Sequence, residues 1–167
     1  MSPLELQLVL TVIEGKDLVP KDRALKVVGP KTTSDPFVLI YLDGKQVGRS
    51  QVQARTLEPK WNETFTLFTN RSFPDARAIT EEPTLLLRVM DKDSMTDDDP
   101  MGTVTIPVSM KGLPSSSTGE QWLPLEPGDT ASRFYCKNVT GSLRVSLATS
   151  IVPKPQSGLK HVTYTCT

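Results

Sequence analysis

The sequence predicts an all-β protein, an eight-stranded antiparallel β-sandwich, and three observations carry that prediction. Short runs with apolar residues at every second position recur along the chain, 14 prolines are scattered between them, and no window sustains an apolar stripe of helical period. Alternation at period two gives a strand one apolar and one polar face. Several such strands, separated by turn-forming residues, are typical of two packed sheets.

The first strand has the clearest pattern, because the even positions from Leu4 to Val12 are all apolar while Glu5, Gln7 and Thr11 lie between them. Further strand-like runs follow at Phe37–Leu42, Val47–Ala54, Trp61–Phe68, Thr84–Met90, Gly102–Val108, Gln121–Leu125 and Ser142–Ala148. Alternate residues of the later runs should line the core, namely Phe65, Leu67, Leu85, Leu87, Val89, Val104, Ile106, Val108, Leu143, Val145 and Leu147. Trp61 and Trp122 lie within strand runs and are expected to be buried.

Length and composition favour a single domain. A chain of 167 residues is near the usual size of one domain, which we place at residues 1–150. The Ser- and Gly-rich stretch Lys111–Gly119 is expected to be a surface loop, and residues 151–167 a linker or tail leaving the domain. The sequence is also compatible with further domains in a longer chain.

Charge and cysteine content limit the class of function. Lys plus Arg and Asp plus Glu both number 19, so no overall field favours nucleic acid. Apolar stretches are far shorter than the roughly 20 residues that cross a bilayer. Two cysteines provide no disulfide framework. These features favour a cytoplasmic protein whose charge acts through local clusters.

One such cluster is the segment from Asp91 to Asp99, which holds five aspartates in nine residues directly after an apolar strand. Neighbouring carboxylates repel by an amount on the order of a few kcal/mol per contacting pair at intermediate dielectric. A cation would remove that cost, and calcium takes six to eight hard oxygen ligands in a flexible geometry. Zinc would need His or Cys, which are absent nearby. The segment therefore predicts a calcium site.

Two other interpretations of this segment compete with a calcium site. A solvated, Asp-rich surface turn needs no metal and stays open. An EF-hand loop is excluded, because counting from Asp91 puts Thr96 at the position of the required glycine and Gly102 at that of the bidentate glutamate.

Several motifs, in order along residues 4–150, resemble those of C2 domains. Ser34-Asp35-Pro36-Phe37-Val38 resembles the family's Ser-Asp-Pro-Tyr/Phe-Val signature, and Thr56-Leu57-Glu58-Pro59-Lys60-Trp61-Asn62-Glu63 its Thr-Leu-Asn-Pro-x-Trp-Asn-Glu motif. Asp91-Lys92-Asp93 with Asp99-Pro100-Met101-Gly102 resembles its Asp-x-Asp and Asp-x-x-Gly elements. Trp122-Leu123-Pro124-Leu125 resembles its later Trp-x-x-Leu strand. The position of Gly141–Leu147 as last strand resembles the second of the family's two circularly related (type II) topologies.

The resemblance implies calcium ligands at five aspartates, namely Asp22 and Asp35 in the first loop and Asp91, Asp93 and Asp99 in the third. It also suggests the backbone carbonyl of Lys92 and, more weakly, Thr96. Asp97 and Asp98 do not match the ligand pattern and are expected to be surface charges. The interval from Asp22 to Asp35 is thirteen residues, about twice the family's usual spacing, so Asp17 is an alternative to Asp22.

Membrane contact is expected beside the acidic loops. The inserted stretch Arg23–Thr33 carries Leu25, Val27 and Val28, which either wedge into the lipid interface or pack over the sandwich. Met95 at the tip of the third loop is a second candidate for insertion. Lys45, Arg49 and Arg55 form a candidate basic patch for lipid headgroups, although ordinary surface charge is the simpler interpretation.

The sequence therefore predicts calcium-dependent binding to anionic phospholipid membranes, with Ca²⁺ as the cofactor and a peripheral location on calcium binding. A calcium-independent C2 scaffold that binds a protein partner is the alternative. No nucleophile motif, phosphate loop or zinc spacing indicates an enzyme, and the single histidine, His161, lies in the tail.

Overall fold

The computed structural model describes residues 3–21, 33–73, 82–154 and 164–166. Within these ranges the chain forms two antiparallel sheets and no helix, so the predicted all-β sandwich is confirmed. The strands are β1 (Leu4–Lys16), β2 (Pro36–Leu42), β3 (Lys45–Arg49), β4 (Lys60–Phe73), β5 (Leu85–Asp91), β6 (Asp99–Ile106), β7 (Ser115–Pro124), β8 (Ser142–Pro153) and β9 (Tyr164–Cys166).

One sheet has the strand order β7-β8-β1-β4-β9 and the other has the order β3-β2-β5-β6. Strand β1 lies in the middle of the first sheet, where Leu10 is opposite Phe65 of β4 and Leu147 of β8. In the second sheet β5 pairs with β2 on one side and β6 on the other. This second sheet carries the acidic residues singled out in the sequence.

The core lies between the two sheets and follows the period-two pattern. Leu6, Leu8, Leu10 and Val12 of β1 are each at most 1% exposed. All of the predicted core residues on the later strands are buried. Full burial of each large apolar side chain is worth about 1.5–3 kcal/mol. Trp61 is buried as expected, and its indole N–H donates a hydrogen bond to the Gln51 carbonyl at 3.0 Å.

Strand β3 begins and ends earlier than the predicted run Val47–Ala54. The reason is a two-residue hairpin turn in which Asp43 and Gly44 have φ of 48° and 80°, which brings Leu42 opposite Lys45. Positive φ at both central residues defines the turn that matches the twist of a hairpin. The β2–β3 register is therefore set by an Asp-Gly pair, and β3 ends at Arg49.

The prediction of a surface loop over Lys111–Gly119 is wrong for its second half. Residues from Ser115 onward form β7, an edge strand whose first residues pair with Ser150, Thr149 and Ala148 of β8. Most of its side chains are exposed, so backbone pairing rather than burial holds it. The expected burial of Trp122 is also wrong: this β7 residue is 38% exposed, and the Lys16 ammonium lies 4.2 Å from its ring centre.

The chain continues in strands beyond residue 150. Strand β8 extends to Pro153, and the amide of Lys154 donates a hydrogen bond to the Pro3 carbonyl at 2.8 Å. Strand β9 pairs with Glu63–Phe65 at the edge of β4. The domain boundary at 150 and the second topology remain predictions. No helix in the described ranges is long and apolar enough to span a membrane.

Candidate calcium and membrane site

Three of the predicted ligands lie side by side at one end of the second sheet. Pro36 at the start of β2 is opposite Asp91 at the end of β5, and Asp91 is opposite Asp99 at the start of β6. Asp35 immediately precedes β2. Asp35 is 56 positions before Asp91 in the sequence, and Asp99 is 8 positions after it. Antiparallel pairing brings all three to the same edge.

Two hydrogen bonds tie Asp35 to the end of β5, one to Asp91 and one to Lys92. The Asp35 amide donates to Asp91 Oδ1 at 2.6 Å, and the Lys92 amide donates to the Asp35 carbonyl at 2.9 Å. Asp91 is only 2% exposed. A buried carboxylate is costly unless hydrogen bonds or a cation compensate it. The Asp35 amide supplies part of that compensation and fixes the start of β2 against the end of β5.

The carboxylate of Asp35 is positioned by the segment between β3 and β4. Its Oδ1 accepts a hydrogen bond from the Arg55 amide at 2.6 Å, and the Thr56 amide donates to the Ser34 carbonyl at 2.9 Å. Arg55 has a φ of 56°, in the left-handed region. The role of Arg55 at this end is therefore carried by its backbone amide, a contact that its side-chain charge could not indicate.

The third loop, residues 92–98, is organised by Asp98. One oxygen of this carboxylate accepts hydrogen bonds from the Asp93 amide at 3.0 Å and from Lys92 Nζ at 2.9 Å. Asp98 therefore also orders the loop, which its expected role as a surface charge did not include. Asp97 is exposed as expected, and Met95 is 92% exposed at the tip. The Thr96 hydroxyl is 3.5 Å from the Asp97 carbonyl.

The pKa of Asp98 reflects these contacts. Partial burial by itself would raise the pKa of this carboxyl, but the hydrogen bonds from Lys92 and the Asp93 amide lower it, as does the positive charge of Lys92 and Arg49. The net effect is a pKa below the ordinary aspartate value. The ionised form of Asp98 is therefore the one that holds the third loop.

This shift predicts a small loss of stability in acid that depends on Asp98. A carboxyl whose folded-state pKa is lowered contributes stability above its unfolded pKa of about 3.9 and loses it as pH falls through the lower folded value. Because the Asp98 side chain is 23% exposed and the Lys92 side chain 44%, we expect Asp98→Asn to cost about 1 kcal/mol or less at neutral pH.

Urea unfolding of wild type and Asp98→Asn at neutral pH and at about pH 2 tests this prediction. The difference between the two proteins should shrink in acid. Asp97→Asn is the matched control in the same loop and should change stability less. An Asp98→Asn effect that grows as pH falls would contradict the assignment.

The structure describes some of the remaining predicted ligands and not others. Asp22 and the apolar residues Leu25, Val27 and Val28 lie outside the described residues. Asp17, the alternative to Asp22, is exposed, and its amide donates to Glu58 Oε1 at 2.9 Å. Asp93 is half-buried beside Asp98. In the described ranges, no group of three or more His, Cys, Asp or Glu side chains converges closely enough to enclose a metal ion.

The donor chemistry at this end nevertheless fits calcium. Asp35, Asp91, Asp93 and Asp99 present hard carboxylate oxygens, and nitrogen and sulfur ligands do not accompany them in the motif. Strand pairing places the backbones of Asp35, Asp91 and Asp99 next to one another. The residues therefore fit an oxygen-ligated cation in type and position, while their side chains do not form a closed set of ligands.

The three predicted basic residues are exposed but spread along the sheet. Lys45 lies at the hairpin end of β3 opposite Leu42, whereas Arg49 is opposite Leu39, closer to the acidic end. The Arg49 guanidinium lies 4.2 Å from the Phe37 ring centre. Lys45 and Arg49 are four positions apart on β3, and successive residues of a strand are about 3.3 Å apart. These residues therefore do not form one compact cluster.

A two-sheet antiparallel sandwich with acidic loops at one end defines a class of β-sandwich module. The family model for the C2 domain matches residues 6–125 of this sequence. The chain therefore belongs to the C2 domain family.

Similar sequences occur within longer proteins of different kinds. Synaptotagmin-7 of Mus musculus is 36% identical over 125 residues, which cover 74% of this chain and 28% of that protein. Ras GTPase-activating protein 4 of Mus musculus is 32% identical over 136 residues, covering 81% of this chain and 15% of that protein. The chain thus spans less than a third of the length of these relatives.

Solved structures agree on the fold. A calcium-bound pair of C2 domains from extended synaptotagmin 2 matches with a TM-score of 0.61 and 24% identity, covering 84% of this chain and 44% of that one. A single C2 domain of plant extended synaptotagmin 1 matches with a TM-score of 0.59 and 22% identity, covering 93% of this chain and 100% of that one. Human GIVD cytosolic phospholipase A2 matches with a TM-score of 0.59 and 19% identity, covering 90% of this chain and 17% of that one, so the fold also occurs within enzymes.

Proposed function

We propose that this chain binds anionic phospholipid membranes in a calcium-dependent manner and serves as a recruitment module. The observation that carries the proposal is the joining of Asp35 to Asp91 through a 2.6 Å hydrogen bond, with Asp99 opposite Asp91 on the next strand. Acidic residues from separate loops thereby share one edge of the sandwich. Calcium-bound extended synaptotagmin 2, a protein of the same fold, supports the choice of ion.

In this proposal Asp35, Asp91, Asp93 and Asp99 hold the ion, helped by the Lys92 carbonyl and Thr96, with Asp22 or Asp17 completing the set. Bound calcium supplies positive charge that neutralises the aspartates and open coordination positions for lipid phosphate or carboxylate oxygens. The protein's part is to bring aspartates from separate loops to the same end of the second sheet. A cytoplasmic protein of this kind would move to the membrane when calcium rises.

Exposure of Met95 supports lipid contact at the same end. Its side chain is 92% exposed, and an exposed apolar residue at a loop tip can enter the lipid interface. The neighbouring Thr96 and Asp97 are also exposed, so the tip is not covered by the rest of the described chain. Leu25, Val27 and Val28 would add to this contact in the wedge interpretation.

Co-sedimentation with vesicles tests the proposal. We expect calcium to raise the affinity for phosphatidylserine-containing vesicles at least about tenfold, or about 1.4 kcal/mol, while magnesium and phosphatidylcholine vesicles give no such increase. Binding that is the same with and without calcium would overturn the proposal. Capture of a protein partner that is insensitive to calcium and lipid would favour the scaffold alternative.

A further inference from the structure

A groove of about 300 Å³ lies on the outer face of the second sheet. Strands β5 and β6 form its floor, and the segment 126–134 forms its wall. Mutual backbone hydrogen bonds between Thr103 and Glu126, both 2.8 Å, hold that wall against β6. Its polar lining includes Arg88, Thr103, Thr105, Glu126, Asp129 and Ser132.

Arg88 of β5 is held in this groove by aromatic rings. Its guanidinium carbon lies 4.5 Å from the Tyr41 ring centre and 3.9 Å from that of Phe134, and the two rings meet edge to face at 6.4 Å. A second guanidinium, that of the exposed Arg133, lies 4.5 Å from the same Phe134 ring. Stacking on rings orients a guanidinium without occupying its N–H donors.

One of those donors, the Nε–H of Arg88, is buried without an acceptor in the described part of the chain. Arg88 Nε is covered and lacks a hydrogen-bond partner, and no ion pair joins its guanidinium to a described carboxylate. A guanidinium carries five N–H donors, and leaving even one of them buried and unsatisfied is costly. A preoriented cation in a groove with a spare donor is suited to an oxygen-bearing anion.

The lining discriminates between anions. A planar carboxylate can accept two parallel hydrogen bonds from a guanidinium. Glu126 and Asp129, both exposed on the wall, oppose negative charge, and they oppose a multiply charged phosphate more than a singly charged carboxylate. The volume is at the lower end of small-ligand sites, enough for a small acid or one acidic side chain.

We propose that the Arg88 groove binds a carboxylate group, either from a small organic acid or from an acidic side chain of a peptide. The groove lining contains none of the aspartates proposed to hold calcium. Arg88 is the recognition residue, and Tyr41 and Phe134 position it.

The test follows the Arg88 Nε–H NMR signal while acetate, N-acetylglutamate amide or inorganic phosphate is added in calcium-free buffer. Both carboxylates should give saturable shifts, at least about threefold tighter than phosphate, and the tighter of the two identifies the source of the ligand. A shift that does not saturate, or tighter binding of phosphate, would overturn the proposal.

Matched variants separate recognition from nonspecific charge. Arg88→Lys keeps the positive charge but loses the forked pair of N–H donors, so carboxylate binding should weaken about tenfold. Arg133→Lys is the matched control and should change the affinity less than about twofold. Backbone amide signals of neighbouring residues report binding in both variants. Glu126→Gln should tighten binding, because it removes an opposing charge from an exposed position. Equal binding by wild type and Arg88→Lys, or weaker binding by Glu126→Gln, would contradict the assignment.

Discussion

Replacing Phe65 with alanine is expected to lower the free energy of unfolding by about 3–5 kcal/mol. Phe65 is fully buried on β4 opposite Leu10, and its ring lies 3.3 Å from the position a Cβ would take at Gly48. The Phe65 ring lies between the two sheets, with β4 in one sheet and β3 in the other. The cavity left by alanine therefore cannot close unless β3 moves toward β4.

Urea unfolding measures this effect, with Trp61 and Trp122 fluorescence as the signal. Thr66→Ala is the matched control, because Thr66 is the next residue of the same strand and is only partly buried. Its effect should stay below about 1 kcal/mol. A Phe65→Ala effect no larger than that of Thr66→Ala would contradict the placement of this ring between the sheets.

Calcium is expected to stabilise the wild-type chain and not the Asp35→Asn/Asp93→Asn variant. A ligand at a hundredfold excess over its Kd adds about 2.7 kcal/mol to the free energy of unfolding. For a chain of this size that corresponds to a rise in Tm of roughly 5–10 °C. Removing two ligand charges should abolish most of the rise.

Thermal unfolding with and without calcium provides the measurement. Asparagine keeps the Oδ1 acceptor that binds the Arg55 amide, so the variant should fold without calcium. Asp97→Asn is the control, because it removes a charge from the same loop at an exposed position outside the ligand pattern. An equal rise in Tm in the double variant would show that these carboxylates do not hold the ion.

The parts of the fold that could be predicted are those in which burial imposes a period. Leu6, Leu8 and Leu10 alternate because one face of β1 packs into the core. The first part of strand β7, from Ser115 to Gly119, escaped prediction because an edge strand with exposed side chains needs no apolar alternation. Trp122 lies on that strand, where its ring packs under the Lys16 ammonium at the surface instead of entering the core.

The acidic end was predictable in its residue types and only partly in its geometry. Motif order identified Asp35, Asp91 and Asp99, and antiparallel pairing placed them together. The contact between Arg55 and Asp35 depends on a backbone amide in a left-handed turn, and no side-chain pattern encodes it. Asp98 likewise acts through a local hydrogen bond to the Asp93 amide. Arg88 meets Phe134 only because the segment after β7 folds back over β5.

Calorimetric titration of calcium tests most directly whether carboxylates from the two loops bind one ion. Wild type and Asp97→Asn should give saturable heats that become tighter when phosphatidylserine vesicles are present, and Asp35→Asn/Asp93→Asn should give none under the same conditions. Titrations that are indistinguishable between wild type and the double variant would contradict a shared ion at the end where Asp35 meets Asp91.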